Sequence, residues 1–363
     1  MKAPFPWFGG KRTVAADVWA RFGEVRNYVE PFFGSGAVLL NRPGWQPGTA
    51  WIETVNDRDG FIANFWRATQ HDPDAVAHWA NWPVNENDLH ARHVWLRGQR
   101  AALTRRLEGD PDYYDAKLAG WWVWGICCWI GGGWCDPETV GPWQVVEDDE
   151  GIAQLVNLNN AGQGVRRQRV HLGDAGRGVQ RQRVHLGNAG QGVKRNRVHL
   201  GGQGGGVGVH RHSLRGDGSG GLQQWMHDLA ARLEHVRVAS GDWSRVCGPS
   251  VTFKHGLTGV FLDPPYSLEE RDSGLYSSES EHADVAAECR EWAIANGDNP
   301  LMRIALCGYD TEHAMPASWS VFNWTANGGY AGLGNGRGAQ NRSREVIWFS
   351  PHCVPQNQQL SLL

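Results

Sequence analysis

The residues best suited to chemistry are Asp263-Pro264-Pro265-Tyr266, which follow a short apolar run at Gly259-Val260-Phe261-Leu262. An acid at the end of a strand, then two prolines that fix φ and cannot continue a ladder, makes a rigid outward turn. Such a turn presents a carboxylate, a carbonyl oxygen and an aromatic face together. An exocyclic base amine has two hydrogens to donate, and its base plane can stack on a ring, so the set suits that kind of group. In isolation the same four residues could equally be a proline-terminated strand with a surface tyrosine.

Two further clusters point the same way. Glu30-Pro31-Phe32-Phe33-Gly34-Ser35-Gly36 continues a strand-like run that begins at Asn27. Glycines placed after a strand let the backbone approach a ligand closely, because no Cβ intervenes. The loop lacks the Gly-Lys-Ser/Thr ending of a phosphate-binding loop and has two glycines rather than a full dinucleotide fingerprint. An adenosyl ligand without phosphates fits that shortened form. Asn56-Asp57 closes a third run, Ala50 to Val55. An acid there can accept from both hydroxyls of a ribose, or it can simply cap the next helix.

The elements that must hold these residues read as α/β. Strand-like runs at 27–32, 50–55, 236–239, 259–262, 302–306 and 343–349 are interleaved with helical stretches after Ala37, after Asp57 through Trp66, over 113–130 and over 222–235. Strands alternating with helices imply a largely parallel sheet covered on both faces. In such sheets ligands bind just beyond the carboxyl ends of the strands, where every cluster above falls. Cys127, Cys128 and Cys135 lie close in sequence but form no C-x-x-C pair, so they read as buried thiols rather than metal ligands.

Between the two α/β segments the chain repeats itself. Arg167-Gln168-Arg169-Val170-His171-Leu172 recurs around His185 and His199, a step of fourteen residues each time, with glycine-rich turns between copies. Such units could stack as a small solenoid or a row of short strands, although the density of glycine leaves disorder open. From Leu155 to Gly216 there are eleven Lys and Arg against one acid, Asp174, so this segment carries +10. With a whole-chain charge of −3, the remainder carries −13. A basic module on an acidic body suggests a polyanionic partner, with a merely solvated charged loop as the plainer reading. Histidines in register without carboxylates suit stacking or phosphate contact better than a metal.

Taken together, the motifs resemble, in order, those of the Dam-type DNA adenine-N6 methyltransferases, over roughly residues 1–150 and 220–350. Pro6-Trp7-Phe8-Gly9-Gly10-Lys11 is similar to the family's amino-terminal motif, in which an aromatic residue and a lysine help hold the cofactor. The stretch from Tyr28 to Val38 resembles the glycine motif around the methionine moiety, which implicates Glu30, Phe32, Gly34 and Gly36. Asn56-Asp57 matches the ribose-binding pair, and Gly241-Asp242-Trp243 the segment whose acid contacts the cofactor adenine. Asp263-Pro264-Pro265-Tyr266 is similar to the catalytic tetrapeptide. Ala119 to Trp134 loosely resembles the helix and turn that lead into target recognition, and Arg344-Glu345-Val346-Ile347 the closing strand.

The resemblance implies a Rossmann-like methyltransferase sheet with the basic 14-residue-repeat module inserted in it. It divides the chain into 1–150, with cofactor motifs; 151–220, a DNA-binding insertion; and 221–363, with the catalytic turn. It implies S-adenosylmethionine as cofactor and double-stranded DNA as partner, with neither metal nor covalent nucleophile needed. Arg166, Arg167, Arg169, Arg177, Arg181, Arg183, Lys194, Arg195 and Arg197 would contact phosphates. The absence of an apolar leader or a long apolar run reads as a soluble, intracellular (cytoplasmic) protein. Three alternatives stay open: an N4-cytosine or RNA amine methyltransferase, a catalytically silent DNA-binding protein of the same fold, and repeats that serve protein assembly.

Overall fold

The computed structural model describes residues 1–7, 11–129, 133–136, 221–265, 279–324 and 344–355 (279–284 in backbone only), and the backbone of strands at 143–147 and 153–157. Its strands are β1 (Asn27–Glu30), β2 (Ile52–Asp57), β3 (Trp143–Glu147), β4 (Ala153–Asn157), β5 (Val236–Ser240), β6 (Thr258–Leu262), β7 (Met302–Tyr309), β8 (Ser320–Asn323) and β9 (Glu345–Phe349). Its helices are α1 (Ala15–Phe22), α2 (Gly60–His71), α3 (Pro73–Ala80), α4 (Glu86–Gly109), α5 (Ala116–Cys128), α6 (Leu222–Leu233) and α7 (Glu279–Gly297).

Seven strands form one sheet in the order β5-β2-β1-β6-β7-β9-β8, while β3 and β4 pair with each other. The first five in that order are parallel, and β9 runs antiparallel between β7 and β8. This is the largely parallel, Rossmann-like sheet that the strand-helix alternation implies. The chain builds from β1 outward through β2 to β5, then returns to the other side of β1 with β6. The order therefore reverses between β1 and β6, and there a crevice opens at the carboxyl ends of such strands.

Strand side chains alternate with period two between two cores. Tyr28, Phe261, Cys307 and Ile347 join Trp19 and Phe22 of α1 and the buried faces of α2 to α6. Val29, Val260, Ile304 and Trp348 face the opposite way, against Cys289 and Ala293 of α7. Both faces are covered, which is why β6 and β9 read as nearly continuous apolar runs.

A buried ionic cluster ties the chain back together after residue 220. Arg232 of α6 donates two hydrogen bonds to Glu53 of β2, at 2.6 and 2.9 Å, and Arg42 donates a third at 2.9 Å. All three side chains are nearly inaccessible, and the Arg42 guanidinium lies over the Trp51 ring at 3.7 Å. Helix α6 is thereby docked where β5 can add to β2.

The structure also extends the sequence reading. Helix α2 runs on to His71 rather than ending near Trp66, because its N-cap Asp59 and its buried aromatic face carry three turns. Helices α1, α3, α4 and α7 and strands β3, β4 and β8 were not expected, and the helix expected after Ala37 is only a short 3₁₀ turn at Leu39–Asn41. The repeats and the arginines and lysine named within them lie outside the described residues. Among the described residues no helix is long and apolar enough to cross a membrane.

Candidate active site

The amino-terminal segment is fixed by one ring. Phe5 is 1% exposed and packs edge-on against Phe65 and Trp122, at 5.4 and 5.0 Å between centroids. Each such pair contributes about 0.5–1.5 kcal/mol beyond area burial. Anchoring Phe5 delivers Trp7 onto the loop after β1. A Cβ on Gly34 would stand 2.5 Å from the Trp7 indole nitrogen, and Gly34 has φ +48°. Only glycine meets both demands without strain. Gly36, at φ +68°, lies as tightly against Phe33 and Trp66.

The same loop is tied to the ends of β2 and β5. Phe33 donates its N–H to the Asn56 carbonyl at 2.9 Å, and the Asn56 amide donates to the carbonyls of Pro31 and Gly241 at 3.1 and 3.0 Å. Asp57 accepts from the N–H of Gly34 and of Asp59, both at 2.9 Å. Helix α2 is capped by Asp59 through the Phe61 N–H, so Asp57 is not the cap and its carboxylate organises the glycine loop instead. Burial outweighs these hydrogen bonds and, with the neighbouring Asp59 charge, pushes Asp57 up to about 7. Asp57 as a whole residue is half-buried.

Beyond β5, Asp242 is exposed and caps a short 3₁₀ turn by accepting from the Ser244 N–H at 3.0 Å. The turn carries Trp243, whose ring stacks on Phe32 from the β1 loop, 6.2 Å between centroids at 26°. Phe32 and Trp243 thus bring aromatic surface to the ends of β1 and β5, on either side of β2. The buried atoms Asn56 Oδ1, Ser240 Oγ and Trp243 Nε1, all at these strand ends, have no hydrogen-bond partner. Buried polar atoms are seldom left so, and these three at the strand ends suit a polar, ring-bearing ligand such as a nucleoside.

Across the crevice, Asp263 follows β6 and binds Lys11, its Oδ1 2.9 Å from Nζ. Lys11 also donates to Glu345 Oε2 at 3.5 Å and sits 5.6 Å from the centre of the Trp324 ring. Burial alone would lower the Lys11 ammonium, but Asp263 and Glu345 together more than reverse it, so Lys11 is held charged. Glu30, at the end of β1, is 2% exposed and accepts from the Tyr28 hydroxyl at 2.8 Å. Burial raises the Glu30 carboxyl well above its usual range; the Tyr28 hydrogen bond opposes this and the Asp263 charge adds to it.

The structure thus gathers Trp7, Lys11, Glu30, Phe32, Gly34, Gly36, Asp57, Asp242 and Asp263 around the carboxyl ends of β1, β2, β5 and β6. Pro264 is buried and Pro265 half-buried beside them; Tyr266 lies outside the described residues. Glu345 joins this group although the sequence reading left it as part of a closing strand. A glutamate opening an otherwise apolar strand, Glu345-Val346-Ile347-Trp348-Phe349, was the signal available.

Comparison with known proteins bears on the amino-terminal part of the chain. Residues 7–93 match the family described as D12 class N6 adenine-specific DNA methyltransferase. Two curated DNA adenine methylases of Vibrio cholerae serotype O1, from a classical Ogawa and an El Tor Inaba strain, are each 30% identical to this chain over 99 residues. The aligned stretch is 27% of this chain and 34% of each relative, so it spans about a third of the relatives' length. The Dam-type resemblance of the motifs is borne out over the amino-terminal quarter.

Proposed function

With its amino-terminal quarter matching the D12 class N6 adenine-specific DNA methyltransferases, we propose that this chain methylates the exocyclic amine of adenine in duplex DNA, using S-adenosylmethionine. The observation that carries the reading is the convergence of Asp263 with the Trp7-Gly34 cradle at the point where the strand order reverses. The residues present fit the cofactor. Asp57 and the glycine loop would hold its ribose and methionine parts, and Phe32, Trp243 and Asp242 its adenine. When bound, it supplies an electrophilic methyl group.

The chain's own part is placement. A target base inside a duplex must be flipped out, at a cost of a few kcal/mol, and Tyr266 would offset part of this by stacking. The Asp263 carboxylate and the Pro264 carbonyl accept the two N–H bonds of the amine. This turns its lone pair toward the methyl group, and in-line geometry does the rest. Lys11 keeps Asp263 in place, and Asp263 stabilises the positive charge that develops on the amine. The insertion at 151–220 would track the DNA backbone through its arginines, between the cofactor half at 1–150 and the catalytic half at 221–363.

The test is methyl transfer from labelled S-adenosylmethionine to duplex DNA, with product nucleosides identified, for wild type and Asp263→Ala. N6-methyladenine from wild type, reduced at least ~10²-fold in the variant, is the expected result. N4-methylcytosine, methylated RNA alone, or no product despite cofactor binding would each replace this reading with the corresponding alternative.

A further inference from the structure

Lys11 is shared between two carboxylates, and only one of them belongs to the catalytic turn. Asp263 is the nearer, at 2.9 Å, and Glu345 follows at 3.5 Å. The side chains are 6%, 20% and 11% exposed for Lys11, Asp263 and Glu345, so water screens the three charges weakly. Glu345 opens β9 opposite Tyr309, the last residue of β7. It therefore reaches Lys11 from the strand beyond β7, and the cluster holds one positive and two negative charges.

We propose that Glu345 is a positioning residue for methyl transfer, acting through Lys11; this rests on the function proposed above. As the amine nitrogen bonds to the methyl carbon, the C–S bond breaks with its electron pair on sulfur. The positive charge passes to nitrogen, which afterwards releases a proton to water. A lysine paired with Asp263 alone would cancel the carboxylate that faces this charge. Glu345 draws part of the ammonium's field to itself, so the cluster stays net negative while the nitrogen becomes cationic. It also fixes the rotamer of Lys11 from a second side, which a flexible amine needs and a single partner does not supply.

The experiment compares wild type, Glu345→Gln, Lys11→Met and the double variant in the full chain. Glu345→Gln is expected to lower kcat ~10–100-fold and change S-adenosylmethionine affinity, measured by calorimetry, less than about threefold. In the Lys11→Met background the same substitution should cost no further kcat, as coupled residues are non-additive. A second readout needs no cofactor. Glu345→Gln should lower the melting temperature when Lys11 is present and raise it when Lys11→Met leaves two carboxylates facing each other. Additive losses in kcat, or the same sign of melting shift in both backgrounds, would overturn the role of Glu345. Absence of methyl transfer by wild type would instead overturn the methyltransferase reading, and the melting comparison would still decide whether Glu345 acts through Lys11.

Discussion

Two buried ionic clusters sit near opposite ends of the same sheet, with their charges inverted. Near the amino end of β2, one glutamate, Glu53, is gripped by Arg42 and Arg232. At the carboxyl ends, one lysine, Lys11, is shared by Asp263 and Glu345. The first uses planar guanidinium forks, which fix direction as well as distance, and stacks one of them on tryptophan. The second uses a point charge with a partly exposed carboxylate beside it. Each construction suits a separate task. The arginine cluster locks two distant stretches of chain together, and both oxygens of its carboxylate are taken up by guanidinium groups. The lysine cluster is less rigid and net negative, and it opens on the crevice.

Substitutions can break this contrast. The largest effect is expected for Glu53→Gln, which strands two buried guanidinium groups and should cost about 3–5 kcal/mol. The melting temperature should fall on the order of 10 °C, with methyl transfer per folded molecule little changed. A variant that melts like wild type would mean that the arginine cluster does not hold the fold. Gly34→Ala comes next. Placing a side chain at φ +48° costs about 1–2 kcal/mol and drives Trp7 off the loop, so cofactor affinity should weaken ~10-fold, by about 1.4 kcal/mol. Unaltered affinity in calorimetry would separate the Trp7-Gly34 contact from the binding site.

The smallest effect concerns pH. Asp57 is raised from an ordinary 3.8 to about 7 in the folded chain, so the folded state holds its proton where the unfolded state has lost it. Its contribution to stability is fullest below the unfolded value and fades as pH rises from about 4 through 7. The melting temperature of wild type should therefore fall more between pH 5 and pH 8 than that of Asp57→Asn. Parallel curves for the two proteins would remove Asp57 from the account.

Much of the candidate site was legible because its residues lie in short contiguous motifs at strand ends, where chain direction and function coincide. Glu30 to Gly36, Asn56-Asp57 and Asp263-Pro264-Pro265 needed only local reasoning. What depended on distant pairing was not legible. Lys11 and Glu345 are 334 residues apart, and nothing local to either announces the other. Arg232 is similar, though it left a trace. It falls on the stripe of α6 that buries Trp225, Met226, Leu229 and Leu233, and a charge on a buried stripe demands a partner. Helix α4 was missed for a related reason. Its leucines, Leu89, Leu96 and Leu103, recur at seven-residue steps, but His90, Arg92 and His93 share the buried face and hide the apolar pattern.

The central place of β1 bears on how the chain is made. Among the described residues it is the first strand in chain order, and its two neighbours arrive at very different times. Strand β2 begins 22 residues after β1 ends, but β6 begins at Thr258. At ~5–20 residues per second, that edge of β1 waits roughly ten to fifty seconds on the ribosome. A strand with an open edge presents unpaired N–H and C=O groups that can pair with other chains. The region that matches the D12 family, 7–93, thus holds β1 and β2 without β6 and β5, the strands that flank them in the sheet. Expressed alone, it would expose the edge that β6 covers and the apolar faces that α5 and α6 bury, and it should aggregate. Productive folding must wait for the carboxyl-terminal half to return through β5 and β6 and close the sheet.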